Sequence, residues 1–104
     1  MSIPVTDLSA ALADRPWGYL ITVGPDLRAH VVAVSVRLED GSLWLTAGRT
    51  TRANAAERPE VTIVFPPVES GGMSLVVDGA AVVHDERVEL VPSGAVLHRA
   101  APPA

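Results

Sequence analysis

Residues 43–65 restrict the fold of this chain more than any other segment, because a strand, a short helix and a second strand follow one another there. The segment reads LWLTAGRTTRANAAERPEVTIVF. Apolar and polar residues alternate before the glycine, which is typical of a half-buried strand, and the proline prevents a long helix. The apolar run at residues 61–65 then predicts a buried strand. This order predicts a small β-rich unit with one inserted helix.

The start of that helix carries two hydroxyls and two cations. They belong to Arg49, Thr50, Thr51 and Arg52. A helix N-terminus leaves its first amides unpaired and is the positive end of the helix dipole, so the added arginines favour a phosphate site. The alternative is that a threonine caps the helix and the arginines are solvated. The local residues leave both interpretations open.

Short apolar runs separated by turn residues make up most of the remaining chain. Asp40-Gly41 predicts a tight hairpin, and Asp78-Gly79 predicts a bulge within one long strand. Antiparallel pairing closed into a small barrel fits this order best, because closure removes exposed sheet edges. We therefore predict a mainly β fold with six strands and two short helices. The predicted strands cover residues 17–23, 30–39, 42–47, 61–65, 73–84 and 87–91, and the helices cover residues 6–14 and 51–57.

Alternation in the second predicted strand divides its side chains between two faces. Val34 lies on the face that we expect in the core, while Ser35 and Arg37 lie on the opposite face. If the predicted hairpin forms, Trp44 and Thr46 share the face of Ser35. Small and polar groups on this face suit a strand against which a flat ligand lies. The alternative for the tryptophan is a purely structural role in burial.

The composition indicates a single folded domain. The chain has 104 residues, of which 48% are hydrophobic and 19% charged, and this balance is typical of a globular protein. We assign residues 1–104 to one domain, with residues 1–16 as an N-terminal helical segment and residues 92–104 as a C-terminal tail. So short a chain leaves much of its surface exposed, and a partner subunit would cover apolar area.

Charge and cysteine content narrow the functional classes. The net charge is −4 and the basic residues are scattered outside residues 49–52, so we expect neither nucleic-acid binding nor membrane binding. The chain has no cysteine, which excludes thiolate chemistry and fits the cytoplasm. His30, His84 and His98 lack metal-ligand spacing. We therefore predict no metal site, and no motif indicates a catalytic acid, base or nucleophile.

Four stretches together resemble one known family. GYLITVGPDLRAHVVAVSV, GSLWLTAG, RTTRANAAERPEVTIVF and SLVVDGAAVV are similar, in this order, to the strands and the phosphate-binding segment of the pyridoxamine 5′-phosphate oxidase-like, FMN-binding split-barrel family. The resemblance covers residues 12–84. It implies a six-stranded antiparallel split barrel and a homodimer with the cofactor at the subunit interface. It implies FMN as the cofactor, with F420 as the alternative and haem as a less frequent one.

The resemblance also implies which residues meet the cofactor. The arginines and threonines at the helix start would hold its phosphate, the preceding turn would pass beside its sugar-like chain, and backbone of the second strand would meet its ring. The asparagine of the same helix would either adjoin the ligand or fix the loop. The implied cofactor-binding residues are Val34, Ser35, Thr46, Ala47, Gly48, Arg49, Thr50, Thr51, Arg52 and Asn54.

Two departures from the family pattern limit the functional prediction. Thr51 stands where many relatives have lysine, and Arg49 and Arg52 would have to substitute for it. Only His98 and Arg99 could match the C-terminal residues that grip pyridoxamine phosphate, so we do not expect that specific activity. The chain is predicted to be an FMN-dependent oxidoreductase acting on a small molecule. The alternative is a non-catalytic carrier of F420, flavin or haem on the same dimeric barrel.

Overall fold

The computed structural model describes residues 1–101. No helix in this range is long and apolar enough to cross a membrane. The elements run in the order β1 (Ser2–Ile3), a 3₁₀ turn (Val5–Asp7), α1 (Leu8–Leu12), β2 (Trp17–Val23), β3 (Ala29–Ser35), β4 (Arg37–Glu39), β5 (Ser42–Thr46), α2 (Arg49–Glu57), β6 (Glu60–Phe65), β7 (Met73–His84) and β8 (Arg87–Arg99).

One bent segment closes the sheet. Residues 1–101 form an antiparallel sheet of eight strands in the spatial order β3-β2-β6-β7-β8-β5-β4, with β1 paired to β8. The outermost strands, β3 and β4, follow each other in the chain with only Val36 between them. The Val36 amide donates a hydrogen bond to the Pro16 carbonyl at 2.9 Å, next to the last pair of β2 and β3. The segment thus joins both edges of the curled sheet, which gives a split barrel.

Alternate strand residues fill the inside of the barrel. Leu20, Leu43 and Phe65 are at most 1% exposed. The helices add one fully buried side chain each at the periphery, Leu8 from α1 and Ala55 from α2. Such close packing of apolar side chains leaves no room for a ligand inside a barrel of this size. Any ligand site therefore lies on the outer surface.

The structure confirms a mainly β split barrel with two short helices, but the sheet has eight strands and not six, because β1 was not predicted and one predicted strand is divided into β3 and β4. β2 has the predicted bounds, and Asp78 and Gly79 lie within one continuous strand, as predicted. The predicted bulge in that strand is wrong, because the irregularity lies opposite these residues in β8. The additional residue is Ser93 of β8, which lies between two residues paired with Gly79 and Asp78. A Cβ atom at Gly79 would collide with the Val91 carbonyl oxygen. The bulge therefore requires glycine at this position.

The predicted C-terminal tail is wrong for residues 92–99, because β8 continues without interruption to Arg99. Pro92 and Gly94 look like loop residues, but Pro92 sits beside the bulge, where a strand tolerates the missing amide donor. If β8 ended at residue 91, about half of one edge of the 12-residue strand β7 would have no hydrogen-bonding partner. Residues 102–104 of the predicted tail lie outside the described range.

Three smaller boundaries also differ from the prediction. The second predicted strand is divided at Val36 into β3 and β4. The N-terminal helix is shorter, since a 3₁₀ turn precedes the five residues of α1. The middle helix begins at Arg49, two residues earlier than predicted, because Gly48 already has the extended conformation of an N-cap residue.

Candidate functional site

Helix α2 is fixed to the barrel by two side chains on its inner face. The Asn54 side chain donates a hydrogen bond from Nδ2 to Thr22 Oγ1 at 3.3 Å, and both residues are buried. At the helix end, Arg58 donates from Nε to the carbonyl oxygen of Val23 at 2.7 Å. Both contacts tie the helix to β2. The position of the helix start relative to the sheet is therefore set by polar contacts as well as by burial of Ala55.

The N-terminus of α2 is open. Gly48 is its N-cap residue, and no side chain in residues 1–101 makes a capping hydrogen bond there. The Gly48 carbonyl accepts the first helical hydrogen bond, from the Arg52 amide at 3.0 Å. A Cβ atom built on Gly48 would have no atom within 4 Å. Among the described residues, the helix start thus has neither a side-chain cap nor a group packed against Gly48, and uncapped amides of this kind bind anions at helix starts.

The four residues predicted at this helix start divide into an outer and an inner group. Arg49 and Thr50 are exposed, whereas Thr51 is 7% exposed. Arg52 is half-buried and donates from Nη1 to the Ala47 carbonyl oxygen at 3.1 Å, which keeps its guanidinium group beside the helix start. The threonine at position 51 therefore presents only its amide to this space. The Asn54 side chain is bound to Thr22 of β2 and therefore has a structural role, which is the alternative to ligand contact that the sequence left open.

An open groove of about 440 Å³ lies on the outer face of β4, β5 and the start of β8. Its volume is within the range of small-molecule sites, about 300–1,000 Å³. Ser35 and Thr46 are exposed and line it, as predicted, while Val34 faces the core, so that only its backbone could meet a ligand. Its principal lining residues are Ser35, Arg37, Glu39, Trp44, Thr46 and Arg87.

Charged and aromatic side chains cross the groove in a connected row. Arg37 Nη2 lies 3.3 Å from Glu39 Oε1, and Arg87 Nη2 lies 3.7 Å from Glu39 Oε2. The Arg87 guanidinium also lies over the Trp44 ring, with its Cζ 4.2 Å from the ring centroid. This distance is well within the range of a cation–π contact. Trp44 thus has a structural partner of its own and does not present a free stacking surface.

A second polar group supports this row from β7 and β8. Glu89 accepts a hydrogen bond from Ser42 Oγ at 2.7 Å and lies 3.0 Å from His84 Nε2. The hydrogen bonds from Ser42 and from His84 lower the pKa of the Glu89 carboxyl below its usual value. The His84 ring lies 5.3 Å from the Trp44 ring. The carboxylate therefore holds the histidine beside the tryptophan.

The groove and the open helix start are neighbours in the chain. Thr46 lines the groove, and Gly48 caps α2 two residues later, which is at most about 8 Å of chain. One ligand of moderate length could thus place an anionic end at the helix and an uncharged part in the groove.

Arg37 was recognised from the alternation in its strand, but Arg87 was missed. Its place opposite Thr46 depends on the pairing of β5 with β8, and no local pattern reveals such a contact.

The three histidines are dispersed. His30 lies 3.8 Å from Asp26 on the β2–β3 turn, His84 contacts Glu89, and His98 is exposed on β8. None of them lines the groove in the described part of the chain. Within residues 1–101 no group of three or more histidine, aspartate and glutamate side chains could hold a metal ion.

Two curated relatives align with most of this chain. They are uncharacterised proteins of Mycobacterium bovis and Mycobacterium tuberculosis. Each is 43% identical to this chain over 114 aligned positions, which span 92% of this chain and 80% of the relative. No known family profile matches the chain.

Solved structures share its fold at lower sequence identity. A protein of Listeria innocua, described as a candidate pyridoxamine 5′-phosphate oxidase, superposes with a TM-score of 0.76 at 16% identity, over 89% of this chain and 96% of that one. An FAD-binding protein of Mycobacterium smegmatis has a TM-score of 0.67 at 16% identity, over 91% and 95%. An F420 reductase has a TM-score of 0.60 at 20% identity, over 88% and 92%. These similarities establish the split-barrel fold.

Proposed function

This chain belongs to one family with the two mycobacterial proteins and has the pyridoxamine 5′-phosphate oxidase-like split-barrel fold, and from that premise we propose that it is an oxidoreductase that uses a phosphorylated flavin or deazaflavin. Two of the solved structures with this fold are described as an FAD-binding protein and an F420 reductase. We propose FMN as the cofactor because the anion site and the adjoining groove suit a ligand with one phosphate and one planar ring.

The open start of α2 is the observation that carries this proposal. Three backbone amides, the exposed Arg49 and the hydroxyl of Thr50 are available there for a phosphate. Arg52 adds a second guanidinium that the Ala47 carbonyl holds in place. Guanidinium groups and helix-start amides favour a doubly charged phosphate over water because charge-assisted hydrogen bonds are the strong ones. These residues fit the cofactor's anionic end.

The groove supplies the place for the cofactor's ring. Ser35 and Thr46 line it with exposed side chains that offer hydroxyls. When bound, the cofactor supplies two-electron chemistry, in which a hydride moves between its ring and a small organic substrate or NAD(P)H. The chain's own residues bind and orient the two reactants. This division of tasks agrees with the lack of any catalytic acid or base motif in the sequence.

We further propose that the protein acts as a homodimer and that an apolar stripe forms the contact. One residue from each of five adjacent strands shares a single row on the outer surface. The row, which we term the outer apolar ladder, consists of Ala33, Tyr19, Val64, Val76 and Val96. The tyrosine is 40% exposed, its neighbour Trp17 is 42% exposed, and their rings pack edge to face at 5.2 Å. Exposed aromatics in an uncharged row suit an isologous interface.

Binding experiments with two flavins test the cofactor assignment. Arg49→Ala should weaken FMN binding about ten-fold and leave riboflavin, which lacks the phosphate, unchanged. Arg28→Ala is the matched control, since Arg28 is exposed on the distant β2–β3 turn. Native mass spectrometry of the wild type should show a dimer that retains FMN or F420. Equal loss of both flavins in the Arg49 variant, or no binding of FMN by the wild type, would refute the phosphate assignment.

A non-catalytic carrier of F420, flavin or haem is the second candidate. The burial of Thr51 favours it, because the position where many members of the split-barrel family have lysine then offers no charge to a ligand, and only Arg49 and Arg52 remain to replace it. Turnover separates the two candidates. An oxidoreductase loaded with its cofactor should oxidise NADPH in the presence of an electron acceptor, whereas a carrier should bind the cofactor and show no turnover.

A further inference from the structure

Two guanidinium groups on different strands share one carboxylate at the edge of the groove. Arg37 contacts one oxygen of Glu39 at 3.3 Å and Arg87 approaches the other at 3.7 Å. Glu39 neutralises one of the two cations, so the residues that line the groove carry one positive charge in excess, while the nearby Glu89 carboxylate is bound by Ser42 and His84. The chain as a whole carries a net charge of −4. A local positive excess in an acidic protein indicates a binding preference for anions at this place.

The carboxylate that occupies this place is easily replaced. The side chain of Glu39 is 41% exposed, and those of Arg37 and Arg87 are 81% and 54% exposed. Ion pairs with this degree of exposure contribute little to stability, because water and salt screen them. A ligand oxyanion can thus exchange for Glu39 without a large loss of folding free energy.

Arg87 is nevertheless held in position. Its guanidinium group lies on the Trp44 ring at 4.2 Å from the centroid, and the His84 ring lies 5.3 Å from the same tryptophan. Glu89 fixes the histidine at 3.0 Å. A cation that is already ordered loses less conformational entropy when it binds a ligand than a free surface arginine does.

We propose that Arg37 and Arg87 together bind an oxyanion group, a carboxylate or a phosphate, of the substrate, and that Glu39 occupies this place in the free protein. This inference rests on the proposed function, because it names the substrate class of the same groove: a small organic anion. The planar forks of two guanidinium groups match the two oxygens of a carboxylate, or two of a phosphate, better than a lysine ammonium would. Arg87 acts in binding and orientation only.

Fluorescence of Trp44 offers a direct readout of this site. The chain has two tryptophans, so Trp17→Phe leaves Trp44 as the single emitter. The cofactor-free protein in this background is titrated with nicotinate, phenyl phosphate and, as the uncharged control, nicotinamide. Nicotinate or phenyl phosphate should change the emission, because an anion that binds Arg87 alters its contact with the indole ring. Whichever of the two anions binds more tightly shows whether the group is a carboxylate or a phosphate. Nicotinamide should bind at least ten-fold more weakly than that anion.

Three variants decide the assignment. Arg87→Gln lacks the contact that gives the fluorescence signal, so its affinity is measured by isothermal titration calorimetry and should be about ten-fold or more weaker for the preferred anion. Glu39→Gln should bind this anion several-fold more tightly, because the competing carboxylate is gone. Arg28→Gln, about 20 Å away along β3, should change nothing. If the cluster had a purely structural role, the Glu39 variant would bind the anion more weakly than the wild type or with the same affinity. That result, or equal affinity for nicotinate and nicotinamide, would overturn the proposal.

A parallel FMN titration separates this inference from the proposed function. Arg87→Gln should bind FMN as tightly as the wild type does. If it loses FMN together with the anion, Arg87 belongs to the cofactor's own site and the substrate assignment is wrong, while the flavin assignment stands. If the wild type binds no FMN but keeps its selectivity for the anion, the flavin assignment fails and the anion site stands.

Discussion

The buried contact between α2 and β2 allows a quantitative prediction. Asn54 Nδ2 donates to Thr22 Oγ1 at 3.3 Å, and the two residues are 3% and 1% exposed. Asn54→Leu leaves the threonine hydroxyl buried without its partner, which costs about 1–3 kcal/mol. Thr22→Val leaves the amide of the asparagine without its acceptor and costs a similar amount. We expect each single variant to lower the free energy of unfolding by about 2 kcal/mol.

The double variant distinguishes the hydrogen bond from simple loss of packing. When both partners become apolar, neither polar group remains unsatisfied, and the exchange is close to neutral. Asn54→Leu with Thr22→Val should therefore lose less than about 1 kcal/mol, which gives a coupling free energy of about 3 kcal/mol between the two positions. Two independent packing defects would give no coupling.

Urea unfolding followed by circular dichroism measures these differences. A loss of about 2 kcal/mol lowers the midpoint by about 2 M if m is near 1 kcal/mol/M, a value typical of small proteins. Protein concentration has to be the same in all samples, because self-association would contribute to the apparent stability. Thr50→Ala, an exposed position on the same helix, is the control and should change the midpoint little. A double variant as unstable as the sum of the single ones would refute the reasoning.

Two further predictions concern β7 and β8. Gly79→Ala should lower the free energy of unfolding by about 2–3 kcal/mol in urea titrations, since a Cβ atom there collides with β8. Gly94→Ala is the control: its Cβ would meet no atom within 4 Å, so its free energy of unfolding should differ from that of the wild type by less than about 0.5 kcal/mol. Hydrogen bonds from Ser42 and His84 lower the pKa of the Glu89 carboxyl in the folded state. The ionised carboxylate therefore contributes its full stabilisation above the pKa that it has in the unfolded chain. This stabilisation is lost as the pH falls through the lower pKa of the folded state. The stability difference between wild type and Glu89→Gln should therefore shrink between pH 6 and pH 3; a constant difference would contradict the stated role of these hydrogen bonds.

The fold was predictable wherever local pattern and tertiary contacts agree. β2 was recognised with its bounds because aromatic and β-branched residues fill it and turn residues follow it. The continuous strand through Asp78-Gly79 was recognised too, although the bulge at this place belongs to β8. The second half of β8 was not recognised, because its residues 92–94 have the composition of a turn. Their strand conformation comes from pairing with the first half of β7, a contact between distant parts of the chain that no local signal encodes.

The site was predictable in part for a similar reason. Arg49 and Thr50 were recognised from their place at a helix start, and this place is exposed. Burial of Thr51, Asn54 and Ala55 could have been inferred, since spacings of three and four residues put them on one helix face. Arg87 could not, because its neighbours in the groove come from two other strands. Cross-strand neighbours depend on register, which a single sequence determines weakly.

The filled barrel explains why every binding feature lies outside it. Because core side chains alternate with outer ones along each strand, the groove residues and the outer apolar ladder both occupy outward positions, and only β3 and β8 contribute to both surfaces. The two surfaces meet where Trp17 pairs with Ser35, the first beside the ladder and the second in the groove. A second copy that packs on the ladder would thus also form a wall of the groove. Self-association and ligand binding would then favour each other, because the partner copy would add contacts to a ligand in the groove.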